Sequence, residues 1–313
     1  MNILSLFDGI SCGQIALNRA GIKYNNYFAS EIDNQAISVT QHNYPKTVQL
    51  GDVTKIVSKD LPKIDIILGG SPCQGFSSCG KGLNFEDSRS KLFFEFVRLL
   101  KECRPKYFLL ENVKMKKEYQ DIISKYLCVE PIFINSSLVS AQNRRRLYWT
   151  NINDISLPLD KKITLDKIIY RLPHEYMSEA ISFERKYPTL VAQSPGTKHK
   201  IIDSYELSEY AKSRVIERKK NKEGLVYSWY NDKIHNEKSP TLTSNCQIWS
   251  ATGGITVIVN KSNFRALTPE ECEELQTLPI GYTNVLKKTA RYKAIGNGWT
   301  VDILAHILSF MKL

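Results

Sequence analysis

An α/β domain built on a mostly parallel sheet with helices on both faces, joined to a small, irregular, mainly β lobe, is the fold class that this sequence predicts. Two observations carry that expectation. Residues 1 to about 150 alternate short apolar runs with amphipathic stretches, the pattern of buried parallel strands connected by covering helices. From about 176 to 263 the texture becomes lysine-rich and irregular, with short threonine and aromatic runs such as Thr189-Leu190-Val191 and Ser239-Pro240-Thr241-Leu242-Thr243. A chain of 313 residues has room for one large domain and a smaller companion.

The elements follow in order. Predicted strands are Ile3 to Leu6, Tyr27 to Ser30, Ile64 to Gly69, Tyr107 to Leu110 and Ile132 to Leu138. Helical periodicity covers Cys12 to Ala20, Asn34 to Asn43 and Ser88 to Cys103. In the last of these, Lys91 to Leu100 keeps its apolar residues largely on one face. Gln142 to Tyr148 places alternate arginines on one face of a further strand. The lysine-rich lobe offers little regular helix beyond Ser208 to Lys220. A helical signal returns at Thr268-Pro269-Glu270-Glu271, where threonine caps and proline occupies the first turn. An apolar helix follows from Val301 to Met311. The expected divisions are residues 1–175, 176–263 and 264–313.

Composition narrows the function classes. With 42% hydrophobic and 24% charged residues the chain resembles an ordinary soluble enzyme, and no apolar run approaches the length of a membrane span. Met1 to Phe7 reads as a buried strand, not a secretory leader, because it lacks a basic start and reaches Asp8 at once, so a cytoplasmic location is expected. Seven cysteines show no CxxC pair and no metal-ligand spacing with the five histidines; neither disulfides nor a bound metal are expected. The net charge of +11 points to a polyanionic partner, although a solvated lysine-rich surface accounts for it equally well until the charges are placed.

The residues that carry chemistry sit at strand ends. The first strand runs into Phe7-Asp8-Gly9-Ile10-Ser11-Cys12-Gly13, a glycine-bearing turn that lets a ligand approach the backbone. It is neither a dinucleotide fingerprint nor a P-loop, and alone it reads equally as a structural turn. The second strand ends at Ser30-Glu31-Ile32-Asp33, where a carboxylate can accept both hydroxyls of a ribose. Gly51-Asp52-Val53 supplies an acidic acceptor for an adenine amino group. Together these favour an adenosine-containing cofactor without a phosphate tail.

Gly69-Gly70-Ser71-Pro72-Cys73-Gln74-Gly75-Phe76-Ser77 follows an apolar strand and puts a cysteine on a glycine-rich loop, the presentation a nucleophile needs. Gly80-Lys81-Gly82 extends it in the manner of a lid. Glu111-Asn112-Val113 delivers a glutamate at the end of a strand; in a pocket excluded from water its neutral form would be favoured and could donate to a ring nitrogen. A solvated strand terminus is the plain alternative. Gln142-Asn143-Arg144-Arg145-Arg146 offers guanidinium forks for phosphate or a base carbonyl, or simply a basic edge.

These motifs, FDGISCG, SEID, GDV, SPCQGFS, KLFF, ENV, QNRRRLY, RALTPEECEELQTLP and AIGNGWTVDIL in this order, resemble the cytosine carbon-5 DNA methyltransferases. The final third, with LQTLPIGYT and GNGWTV, is most similar to the de novo branch and its prokaryotic or phage relatives; many bacterial members carry Ser-Val where this chain has Gly298-Trp299. The resemblance implies a Rossmann-like class I methyltransferase fold that uses S-adenosylmethionine and releases S-adenosylhomocysteine. It assigns catalysis to Cys73, Glu111, Arg144 and Arg146. Cofactor contacts fall on Phe7, Asp8, Gly9, Glu31, Ile32, Asp52, Val53, Pro72, Leu92, Asn297 and Trp299.

It places the 176–263 lobe as the target-recognition domain, with duplex DNA in the cleft between lobes, met by Gln74, Ser77, Lys81, Gln142, Thr243, Asn245, Thr252 and Gly253. A carbon-5 target inside a duplex is out of reach, so the base should be flipped out. The expected setting is a monomer in a prokaryotic or phage-infected cell, with a cognate restriction endonuclease as a further partner. A tRNA cytosine methyltransferase would share PCQ and ENV but carries a Cys-Phe-Thr motif that is missing here; a catalytically silent relative would have lost the chemical residues. An amino-methylating enzyme would show Pro-Pro-aromatic where this chain has Ser71-Pro72-Cys73.

Overall fold

The computed structural model describes residues 1–71, 88–169, 226–228, 233–235, 237–242, 255–258 and 264–312. A seven-stranded sheet dominates it, made of β1 (Asn2–Leu6), β2 (Asn26–Ser30), β3 (Val48–Gln49), β4 (Ile66–Gly69), β5 (Tyr107–Val113), β6 (Ile132–Asn135) and β7 (Arg145–Thr150). Its strand order is β3-β2-β1-β4-β5-β7-β6. β1 to β5 pair in parallel, whereas β7 runs antiparallel to both neighbours.

Helices α1 (Cys12–Arg19), α2 (Asn34–Asn43), α3 (Ser88–Cys103), α4 (Lys117–Leu127) and the short α5 (Asp166–Ile169) join these strands or follow them. Strands β8 (Val226–Ser228), β9 (Lys233–His235), β10 (Ile255–Ile258) and β11 (Phe264–Ala266) form a separate antiparallel sheet in the order β11-β10-β8-β9. The C-terminal helices are α6 (Pro269–Leu275), α7 (Lys288–Asn297) and α8 (Val301–Leu308).

The near-continuous apolar strands are explained by burial on both faces. Ile3 of β1, Ile66 and Leu68 of β4 and Leu109 of β5 join a core with Ile15 and Leu17 of α1 and Ile303, Leu304 and Ile307 of α8. The alternate residues Leu4, Ile67, Phe108 and Leu110 face the other way, against Phe93, Phe96 and Leu99 of α3 and Ile123 and Leu127 of α4. α8 packs on α1, and Arg19 fastens the two through Asp302 at 2.6 Å. α6 carries the predicted capping box: Thr268 accepts from Glu271 N at 3.2 Å and Thr268 N donates back to the Glu271 carboxylate at 2.7 Å.

Several expected boundaries move. β5 continues through Val113 instead of stopping at Leu110, because Glu111, Asn112 and Val113 pair with Tyr148, Leu147 and Arg146 of β7. Glu111 is therefore an interior strand residue, not a strand terminus. The strand expected to reach Leu138 ends at Asn135, whose side chain accepts from Ser137 N at 3.2 Å and starts a 3-10 turn over Ser136–Leu138. The strand expected from Ile64 starts at Ile66. Thr189-Leu190-Val191 and the helix expected over Ser208 to Lys220 lie outside the described residues.

Candidate active site and cofactor cleft

In an open parallel sheet the crevice for ligands lies at the carboxyl ends of the strands, where the order reverses. Here that point is between β1 and β4. Phe7, Gly9 and Ser11, just past β1, all have positive φ values of 56° to 59°, so the loop coils tightly. Glu31, at the end of β2, accepts from Gly9 N at 2.8 Å, Ile32 N at 2.8 Å and Asp33 N at 2.9 Å. One carboxylate thus fixes both the first loop and its own.

Beside it Ile32 is 73% exposed, an apolar platform at the mouth of the crevice. Asp52 accepts from Thr54 N and Thr54 Oγ1, and these bonds hold its carboxyl below the usual carboxylate range. Val53 beside it is buried. Carboxylates at Glu31 and Asp52, each oriented by bonds from its own loop, with the exposed aliphatic side chain of Ile32 beside Glu31, fit the hydroxyls, amino group and flat ring of an adenosine. Asn297 is exposed, and Leu92 lies half-buried on α3.

Asp8 departs from that pattern. Its side chain turns inward, 5% exposed, and accepts from Tyr27 Oη at 2.7 Å and from Ser11 Oγ. Burial pushes the carboxyl up to about 6, against the opposing effect of those hydrogen bonds. Its side chain therefore stiffens the loop from beneath, and its backbone N and O are bonded to Ser30 O and Ser11 N.

On the other side of the crevice β4 leads into Gly70 and Ser71. Asn112 Nδ2 lies 3.4 Å from Ser71 O and 3.3 Å from Ser71 Oγ, tying the start of the cysteine-bearing loop to β5. A side chain at Gly70 would meet Trp299 Nε1 at 2.7 Å, so the indole occupies the space that this glycine leaves. Glu111 Oε1 accepts from Arg146 Nε at 2.8 Å across the β5–β7 pair, both residues being largely buried. This ion pair aims the carboxyl as well as balancing it.

The chain resembles known proteins along its whole length. A family model for C-5 cytosine-specific DNA methylases matches residues 1–312. The chain belongs to the C-5 cytosine-specific DNA methylase family. The type II methyltransferase M1.ScrFI of Lactococcus lactis subsp. cremoris is 30% identical over 320 residues, covering 99% of this chain and 77% of that enzyme. The orphan methyltransferase M.SPRI of Bacillus phage SPR is 36% identical over 170 residues, covering 49% of this methylase but 38% of the phage enzyme. Among solved structures, the Entamoeba histolytica methyltransferase EhMeth shares the fold, with a TM-score of 0.70 at 18% identity over 99% of this chain and 97% of its own. This methylase is thus a DNA (cytosine-5-)-methyltransferase of the class I fold, and its family implies S-adenosylmethionine as methyl donor.

Two residues predicted at the methylase's DNA or base contacts are placed elsewhere. Gln142 is fully buried: its Nε2 donates to Leu275 O at 2.9 Å and Gln276 Oε1 at 3.2 Å, and its Oε1 accepts from Leu242 N at 2.9 Å. An amide spent on these bonds cannot reach a base edge, and its expected DNA contact is corrected to a structural role. Arg144 is 4% exposed and, among the described residues, bonded to backbone carbonyls only. Pro72, Cys73, Gln74, Ser77, Lys81, Thr243, Asn245, Thr252 and Gly253 lie outside the described residues. The residues that sequence reasoning missed are Asn112, legible only as part of ENV, and the 237–242 segment. That segment, expected in the recognition lobe, is threaded into the large domain with Ser239 and Leu242 fully buried.

Proposed function

We propose that this methyltransferase transfers the methyl group of S-adenosylmethionine to carbon 5 of a cytosine in a specific duplex DNA sequence, acting on a flipped-out base through a covalent adduct of Cys73. The observation that carries this reading is the Glu111–Arg146 pair at 2.8 Å, buried beside the anchored start of the Cys73 loop. A carboxyl held in place by a guanidinium on the next strand is suited to grip one edge of a planar ring.

In this mechanism the Cys73 thiolate adds to carbon 6 while Glu111 hydrogen-bonds ring nitrogen 3, so the electron pair of the 5,6 double bond is pushed to carbon 5. The bound cofactor supplies an electrophilic methyl group on its sulfonium. After carbon 5 has taken that methyl, its proton leaves to a base, the 5,6 double bond re-forms and Cys73 is expelled. Arg146 keeps Glu111 oriented throughout. Glu31, Asp52, Gly9 and Ile32 hold the adenosine end on the opposite side of the crevice. The 176–263 lobe reads the sequence, with phosphate contacts setting affinity and a few polar side chains setting the choice of site. The likeness to a type II enzyme along almost the whole chain supports a restriction-modification setting.

Bisulfite sequencing of DNA from cells expressing the protein should show one recurrent sequence protected from conversion. A duplex of that sequence with 5-fluorocytosine at the target should trap the protein covalently, because fluorine cannot leave as a cation. Methylation confined to tRNA, or turnover without any trapped species, would overturn the reading.

A further inference from the structure

Arg144 has an unusual environment for an arginine. Nη1 donates to Leu242 O at 2.9 Å and lies 3.4 Å from Gly296 O, while Nη2 donates to Gly298 O at 2.9 Å and also reaches Gly296 O at 3.4 Å. Nε is buried without a partner among the described residues. These acceptors are backbone carbonyls, and two of the residues that supply them, Gly296 and Gly298, sit at the C-terminal end of α7, where the helix dipole favours a cation. Burial, then the neighbouring Arg146, pulls the guanidinium down to about 9, still charged near neutral pH. Removing one partner from a buried charge is costly, so this arrangement resists separation of the segments it joins.

Those segments belong to different parts of the machine. Leu242 closes the 237–242 segment, immediately before the loop at 243–254 expected to read DNA. This segment is stapled to the large domain by Ser239 N to Ala141 O at 2.6 Å, Asn143 N to Ser239 O at 2.7 Å, Thr241 Oγ1 to Asn143 O at 2.6 Å and the Gln142 bond already described. Lys238 Nζ fastens its other end to the carbonyls of Ser137, Ser140 and Ile163 at 2.6 to 3.1 Å. Gly298 precedes Trp299, whose indole fills the space beside Gly70, three residues before Cys73. Arg146, two residues along from Arg144, holds Glu111.

We propose that Arg144, supported by Gln142, is a positioning residue that couples the seating of the recognition lobe to the geometry of the catalytic cleft and touches neither base nor cofactor. The proposal rests on the DNA-methylating function above. When the lobe seats on its target, any pull on residue 243 is passed through Leu242 to the guanidinium, and from there to the Gly298-Trp299 backbone and the Arg146–Glu111 pair. Sequence readout thereby acts on the rate of transfer as well as on binding.

The test uses the full chain, with Arg144→Lys and Lys238→Met compared with wild type. Lysine keeps the charge but cannot span both Leu242 O and Gly298 O; Lys238→Met loosens the segment from its far end, outside the cleft. Calorimetry gives the S-adenosylmethionine affinity. Single-turnover methylation is measured on the target duplex and on a duplex differing by one base pair.

Both variants should keep cofactor affinity within about twofold and narrow the ratio of target to off-target rates by about tenfold, within the usual range of coupling energies. Arg144→Lys should in addition slow transfer on the target duplex itself. A native ratio in both variants, or a rate lost only in proportion to the folded fraction seen by near-UV dichroism, would overturn the coupling. Should Arg144→Lys fail to fold, Lys238→Met decides alone. A wild-type protein that leaves duplex DNA unmethylated would instead refute the function, so the two failures are distinguishable.

Discussion

The two sides of the crevice are built at different ranges. On the β3-β2-β1 side, Glu31 reaches Gly9 across 22 residues, and Asp52 bonds to Thr54 only two residues away. On the β4-β5-β7 side, Gln142 reaches Leu275 across 133 residues, Arg144 reaches Gly298 across 154, and Ser136 reaches Thr300 across 164. The carboxylates of the first side are set by bonds within neighbouring βα units, although its first loop also takes a bond from Tyr282 Oη to Ile10 O at 2.7 Å, whereas the bonds that hold Gln142 and Arg144 on the second side exist only once the C-terminal third has docked. Long loops are closed at a modest entropic cost per doubling of length, but they form late and as a unit. Cofactor binding should therefore survive damage that silences chemistry, and the reverse should hold poorly.

The sharpest separation comes from Cys73→Ala. Methyl transfer should be abolished while S-adenosylmethionine binding, measured by calorimetry, stays near native, because in the proposed mechanism the thiolate acts on the base. Substantial turnover by this variant would remove Cys73 from the mechanism. Glu111→Gln is expected to come next. It keeps the shape and the acceptor for Arg146 but presents a far weaker acid, so the single-turnover rate should drop by about 10² to 10⁴, with DNA affinity little changed. An unaltered rate would reduce Glu111 to a partner of Arg146 in the sheet.

The same contrast explains what the sequence made legible. The elements of the cofactor side, with turns at Phe7 to Gly13, Glu31 and Asp52, were readable because strand, glycine-bearing turn and acidic residue are adjacent in the chain. The catalytic side was readable only as residue types. That Glu111 lies inside β5 depends on its pairing with Tyr148 of an antiparallel strand, a register that no local pattern encodes. That Gln142 and Arg144 face inward depends on Leu242, Leu275 and Gly298, each far away in sequence. Alternation on a strand gave the arginines a common face, but both faces of this sheet are covered, so polarity did not tell inside from outside. The inward turn of the Asp8 side chain was not legible for a related reason: it depends on Tyr27, on the next strand.

A third variant pair sharpens the picture within the cofactor side. Glu31→Ala removes an acceptor shared by three amides, so it should weaken S-adenosylmethionine binding both by the lost ribose contact and by loosening the Gly9 loop. A hydrogen bond of this kind contributes about 0.5 to 1.5 kcal/mol net. Asp52→Ala breaks, among the described residues, bonds to Thr54 and the one proposed contact to the adenine, so its effect on the dissociation constant should be the smaller. Equal losses in a calorimetric titration would deny Glu31 its organising role.

The mildest test concerns Asp8 and reads stability instead of turnover. Its carboxyl is buried and raised to about 6, from the ordinary 3.8. Between those two values the folded protein holds a proton that the unfolded chain has already released. Stability contributed at this position is therefore greatest below about pH 4, falls as the pH rises towards 6, and is level above that. A rise of this size corresponds to at most roughly 3 kcal/mol, spread over two pH units.

Asp8→Asn cannot titrate, so the difference in urea-unfolding free energy between wild type and variant should shift in the variant's favour as the pH is raised from 4 to 6.5. The absolute offset is harder to sign, since an amide nitrogen can no longer accept from Ser11 Oγ, which itself already receives bonds from Gln14 and Thr40. The slope does not depend on that offset: every other titrating group is common to the two proteins and cancels in the difference. Parallel curves across this range would mean that Asp8 is solvated in solution, and with it that the first loop is looser than the bonds to Tyr27 and Ser11 imply.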